Sequence, residues 1–80
     1  MIKYDGNVID VMKLVEHIKI DCDISNNDIA IKMNKSKQTI SNLLNGQSQN
    51  ITLNTLLSLC NAIDCDLYLD IRRKEKNVNE

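Results

Sequence analysis

The chain has 80 residues, a net charge of −1, 42% hydrophobic residues, no Trp, no Phe and no Pro. That length allows one domain, 1–80, with a small core of Ile, Leu, Val and Met, and the hydrophobic content is not that of a disordered chain. No apolar run approaches the about 18 residues of a membrane span, nothing resembles a signal peptide, and three cysteines, Cys22, Cys60 and Cys65, do not make a secreted disulfide framework. The expected compartment is the cytoplasm, with the thiols reduced and packed as small hydrophobes.

The first element predicted is a helix capped by Asn7. Val8, Val11, Met12, Val15, Ile18 and Cys22 recur at three and four along it, which makes one face. His17, the only histidine, lies beside that stripe with no nucleophile or carboxylate partner indicated, so it reads as a surface or core-edge residue.

Ser25 and Asp28 stand in the S-x-x-D arrangement that starts a helix, the serine accepting from an early N–H and the acid facing the positive helix end. Ile29, Ala30 and Met33 are its inward residues. Asn34 follows, a residue that tolerates the left-handed conformation and can reverse the chain. Ser36 caps a third helix with Ile40, Leu43 and Leu44 on its inner edge, and Gly46 ends it. The segment 47–51 is a polar loop. Thr52 caps a fourth helix, with Leu53, Leu56, Leu57, Cys60 and Ile63 expected on one stripe.

After Asp64 the period changes. DLYLDIR, 66–72, alternates strictly, Leu67, Leu69 and Ile71 on one side and Tyr68, Asp70 and Arg72 on the other, which is a strand pattern. A single strand among helices has no partner in its own chain, and pairing with the same strand of a second copy satisfies its open edge. The alternative for these residues is a short fifth helix. The tail RRKEKNVNE is expected to fray.

The charges are not evenly spread. No Asp or Glu occurs from 29 to 63, while Lys32, Lys35 and Lys37 lie inside that span; the first 28 residues carry six acids and the last 17 carry five. A segment cleared of acids suits a face that meets an anion. Within it, KQTISN is rich in Gln, Thr, Ser and Asn, where an ordinary solvated helix face carries Glu, Lys and Arg.

Two helices joined by a tight turn, about 26–45, make a helix-turn-helix, with Ala30 where they cross, Asn34 in the turn, and Ile40 and Leu43 packing back. SNNDIAIKMNKSKQTISNLLNG, followed by a loop and TLNTLLSLCNAID, resembles the lambda-repressor-like, Cro/CI-type (XRE) helix-turn-helix DNA-binding family over about 8–65. The resemblance implies a mainly all-α, four-helix domain, here with a C-terminal strand at 66–72. It implies that the helix 37–44 enters the major groove. Lys37, Gln38, Thr39 and Asn42 would then reach base edges: Gln and Asn match adenine, Lys donates to guanine, and the Thr methyl touches a thymine methyl. Phosphate contacts fall to Asn26, Ser36, Ser41, Asn45 and Gln47. Leu44 departs from the pattern, because many members carry an acid before the Asn-Gly pair; packing should replace the tie that acid makes, or Leu44 lies at an interface.

The implied function is a sequence-specific transcriptional regulator, a repressor acting as a homodimer on a palindromic operator, with Leu67, Leu69 and Ile71 at the dimer contact. Three central lysines imply only two or three phosphates neutralised per subunit, so dimerisation matters. The alternative is an antitoxin whose other surface binds a toxin protein; the absence of a long tail favours the repressor. A third reading keeps the fold for protein contacts alone. No cofactor or metal is expected, and no spacing of titratable groups suggests an enzyme.

Overall fold

The computed structural model describes residues 1–47 and 50–74. Among the described residues there are four helices: α1, Val8–Asp21; α2, Asn26–Met33; α3, Lys37–Leu44; and α4, Leu53–Ala62. Every one begins at the residue type that the chain places before it. The side chains of Asn7, Ser25, Ser36 and Thr52 accept from the N–H groups of Ile9, Asp28, Thr39 and Thr55. At α2 the arrangement is reciprocal, because the Ser25 N–H also donates to Asp28 Oδ2 at 3.2 Å. Each such cap satisfies an orphan donor and contributes about 1 kcal/mol.

The four helices also end alike. In α1, the Asp23 N–H donates to the Ile20 carbonyl and the Ile24 N–H to Lys19. The same crossed pair recurs as Asn34 to Ile31 with Lys35 to Ala30, as Gly46 to Leu43 with Gln47 to Asn42, and as Asp64 to Asn61 with Cys65 to Cys60. This is the Schellman closure, which needs one left-handed residue. Asp23, Asn34, Gly46 and Asp64 supply it, with φ of 56°, 56°, 71° and 57°. Asn34 and Gly46 were expected in this role; Asp23 and Asp64 were not. An aspartate there is strained relative to glycine, and its charge sits at the negative end of the helix dipole. Asp64→Gly is therefore expected to raise stability by about 1 kcal/mol, read as a higher denaturant midpoint at unchanged slope.

The core lies where α2 packs on α3 and α4 while α1 lies against α3. Met12, Val15, Ile29, Ala30, Ile40, Leu59, Ala62 and Ile63 are buried together. Ala30 is small enough to let the helices cross closely. Met33, Leu43 and Leu44 are half-buried against this cluster, so of the two expectations for Leu44, packing and an interface, the fold shows packing.

Two expected stripes need correction. On α4, Leu53 is 62% exposed and Leu57 is exposed, whereas Leu59 is fully buried. The working stripe is Leu56, Leu59, Cys60 and Ile63; Leu59 and Ile63 are four apart, and the face is turned from the one expected. On α1, Val8, Met12 and Val15 are buried but Ile18 and Cys22 are exposed.

Among the described residues there is no strand, and 65–74 belong to no helix either. Cys65 packs on the core and Leu67 is half-buried, but Tyr68, Leu69 and Ile71 are 85%, 66% and 99% exposed. Arg72 Nε donates to Asp70 Oδ2 at 2.5 Å, so these two side chains lie on one side of the segment, as i and i+2 do in an extended chain. The fraying expected of the tail falls, from 75 onward, outside the described residues, as do 48 and 49 of the polar loop. No helix among the described residues is long and apolar enough to cross a membrane.

Candidate nucleic-acid interface

The turn between α2 and α3 is three residues, Asn34 to Ser36. Its left-handed Asn34 and the Ser36 cap together fix the angle at which α3 leaves α2. Ile40, fully buried, anchors α3 from below. What remains outside is Lys37, Gln38 and Thr39, all exposed, and Asn42, half-buried one turn on. The four residues expected to read bases therefore share the outer face of one helix.

Their hydrogen bonds narrow what each can offer. Gln38 Nε2 donates to Asn42 Oδ1 at 3.0 Å, a bond between successive turns. An amide carries two N–H donors and an oxygen with two lone pairs. Gln38 thus keeps its oxygen and one N–H, and Asn42 keeps its NH₂, so the pair offers adjoining donors and acceptors held by their mutual bond. Thr39 is committed differently. Its hydroxyl lies 2.8 Å from Ser36 Oγ, and its N–H donates to the same oxygen at 3.1 Å. Thr39 keeps its methyl and the remaining hydrogen-bonding capacity of its hydroxyl for a ligand. Among the described residues Lys37 makes no ion pair, and no acid lies in the first turn of α3.

The residues expected at phosphates fall into two groups. Asn45 and Gln47 are exposed at the end of α3, and Ser36 is exposed at its start, its hydroxyl already in the cap. Asn26 and Ser41 instead meet each other: Asn26 Nδ2 donates to Ser41 Oγ at 3.3 Å. Among the described residues Asn26 Oδ1 is buried without a hydrogen-bond partner. This link, spanning 15 positions, ties the first turn of α2 to the middle of α3. It holds α3 in place, and it leaves Asn26 its backbone N–H at the start of α2 open to an anion.

The first turns of α1 and α2 contain Asp10 and Asp28, but those of α3 and α4 contain no acid. Their positive dipole ends are therefore not neutralised from within. The N–H groups of Lys37 and Gln38 have no intrahelical partner, while those of Thr39 and Ile40 are taken by Ser36. An exposed lysine, paired amides and open N–H groups on one convex helix suit a duplex groove and its flanking phosphates.

Neither the bond of Asn26 to Ser41 nor a second long-range contact at this site is signalled in the sequence. Gly46 packs beneath Ile9 of α1, so closely that a Cβ built on it would lie 2.3 Å from Ile9 Cγ1. That approach fixes the far end of α3. The Asn-Gly pair signalled the turn, but no periodicity in the chain signals a contact with a residue 37 positions earlier.

The comparisons agree with the geometry. A protein-family model described as a Cro/C1-type HTH DNA-binding domain matches residues 15–68. No match was found among curated proteins or among solved structures. The matched span holds the second half of α1, all of α2, α3 and α4, and Lys37, Gln38, Thr39 and Asn42. The chain belongs to the Cro/C1-type helix-turn-helix DNA-binding family.

Proposed function

We propose that the protein is a transcriptional repressor that binds a palindromic DNA operator as a homodimer, with α3 in the major groove. The observation that carries this reading is the outward face of α3, where Lys37, Gln38 and Asn42 lie together while Ile40 is buried beneath them. In this reading Gln38 and Asn42 read a base edge jointly, Lys37 donates to a guanine, and Thr39 offers its methyl to a thymine. Asn45, Gln47 and the N-termini of α2 and α3 hold phosphates, with Asn26 and Ser41 acting through their bond to each other. No catalytic role is assigned to any residue.

Three lysines serve the acid-free central segment, so about two or three phosphates are neutralised per subunit. Anisotropy titration of labelled duplex at several salt concentrations tests this. The expected slope of log K against log salt is about −2 to −3 per subunit; no binding at low salt would contradict the reading.

The dimer is assigned to 66–72. Leu69 and Ile71 are exposed on an alternating segment whose Asp70–Arg72 ion pair fits an extended chain. An antiparallel pair of such segments across a two-fold axis would cover both apolar rows and place two α3 helices about 34 Å apart, one turn of duplex. Leu69→Asp is expected to move sedimentation toward monomer with helix content unchanged; a wild-type profile would remove the segment from this role.

The same exposed row supports the antitoxin alternative, in which a toxin protein covers it. Recovery of a stoichiometric partner protein by affinity capture, with DNA binding retained, would favour that reading.

A further inference from the structure

The Schellman closure of α4 places a thiol at each end of its longer hydrogen bond. Cys65 N–H donates to the Cys60 carbonyl at 2.9 Å. The residues joined in this way characteristically bring their side chains together, and in most proteins the contact is apolar. Here both residues are cysteines. Cys60 is buried in the core and Cys65 packs on the same cluster. Cys65 Sγ donates to the Ile63 carbonyl at 3.4 Å, which holds its sulfur beside the C-cap of α4.

We propose that Cys60 and Cys65 are a dithiol that the native fold holds ready to close into a disulfide, with a small-molecule disulfide as oxidant. The Cys65 thiolate attacks one sulfur of the oxidant and expels a thiolate, giving a mixed disulfide on Cys65. The Cys60 thiolate then attacks Cys65 Sγ and expels the second. Two protein thiols and one oxidant disulfide become one protein disulfide and two small thiols. Cys65, half-buried, takes the first step, because the buried Cys60 is shielded from the oxidant.

Burial pushes the Cys60 thiol above its ordinary range, and the neighbouring Cys65 raises it further. That second cause is felt only by charges that lie near each other, which agrees with the geometry. The joint closed by the bond is the one from which 66–72 departs, so oxidation acts on the element assigned above to the dimer. The chemistry itself does not depend on that assignment.

The exposed Cys22 competes for the oxidant, so the test uses the full chain with Cys22→Ser. It is equilibrated at about pH 8 in mixtures of reduced and oxidised glutathione, acid-quenched, and weighed by intact mass, both folded and in concentrated urea. The expected product is lighter by two hydrogens and carries no lasting glutathione. The glutathione equilibrium constant for closing the bond should be at least about tenfold larger in the folded chain than in urea, and by linkage the bond stabilises the fold by the same factor. Adding Cys65→Ser should abolish the product and leave Cys60 unmodified in the folded chain. An equal or smaller constant in the folded chain, or accumulation of glutathione adducts on the folded chain with Cys65 present, would overturn the proposal.

Discussion

Gly46→Ala is expected to destabilise the domain by about 2–4 kcal/mol, a large share of what an 80-residue fold has in reserve. Two causes add. The residue sits at φ +71°, where a Cβ is strained by about 1–2 kcal/mol. The new Cβ would also lie 2.3 Å from Ile9 Cγ1 and 3.5 Å from the Ile9 Cα. The Cα lies at ordinary contact distance, so the cost falls on the Ile9 side chain, which must leave its rotamer. Thermal and urea unfolding would measure the loss. Pairing the substitution with Ile9→Ala, which removes Cγ1, should recover the clash and leave the φ strain. A cycle showing no coupling between the two positions would mean that α1 does not sit on the end of α3 in this way.

The second large effect concerns binding rather than stability. Gln38→Ala should weaken the operator complex by about 1–3 kcal/mol while unfolding as the wild type does, because Gln38 is exposed. Asn42→Ala should cost less than its own contacts suggest once Gln38 is gone. Each amide orients the other through the 3.0 Å bond, so the two losses overlap. Lys37→Ala, by contrast, removes a charge that also attracts phosphate, and part of its loss should be shared by random DNA.

Much of the helix-turn-helix was legible because its signals are local. Asn7, Ser25, Ser36 and Thr52 cap helices by bonds within three residues, and Asn34 and Gly46 stop helices by their own backbone preferences. These need no knowledge of the rest of the fold. The face that a helix buries does need it. Leu53 and Leu57 are as apolar as Leu59, and a periodicity of three and four fits either set; which set is covered depends on where α2 lies. The same reason hid the contact of Gly46 with Ile9 and the bond of Asn26 to Ser41, both of which join residues far apart in the chain. Asp23 and Asp64 were missed for a different reason: aspartate tolerates the left-handed region but does not announce it, whereas an Asn or Gly after an apolar run does. On the outer face of α3, residue types were legible, but the sharing of Gln38 with Asn42 and of Thr39 with Ser36 required their geometry.

The proposed repressor stands or falls on whether side chains on the outer side of the eight-residue α3 choose a DNA sequence. Selection of bound duplexes from a random pool, by the wild type and by Gln38→Ala in parallel, asks this most directly. The wild type should enrich an inverted repeat, and the variant should enrich the same repeat with one position in each half relaxed. Identical enriched sequences from both proteins would deny Gln38 its place in the groove, and a wild-type pool that stays random would deny it to the helix.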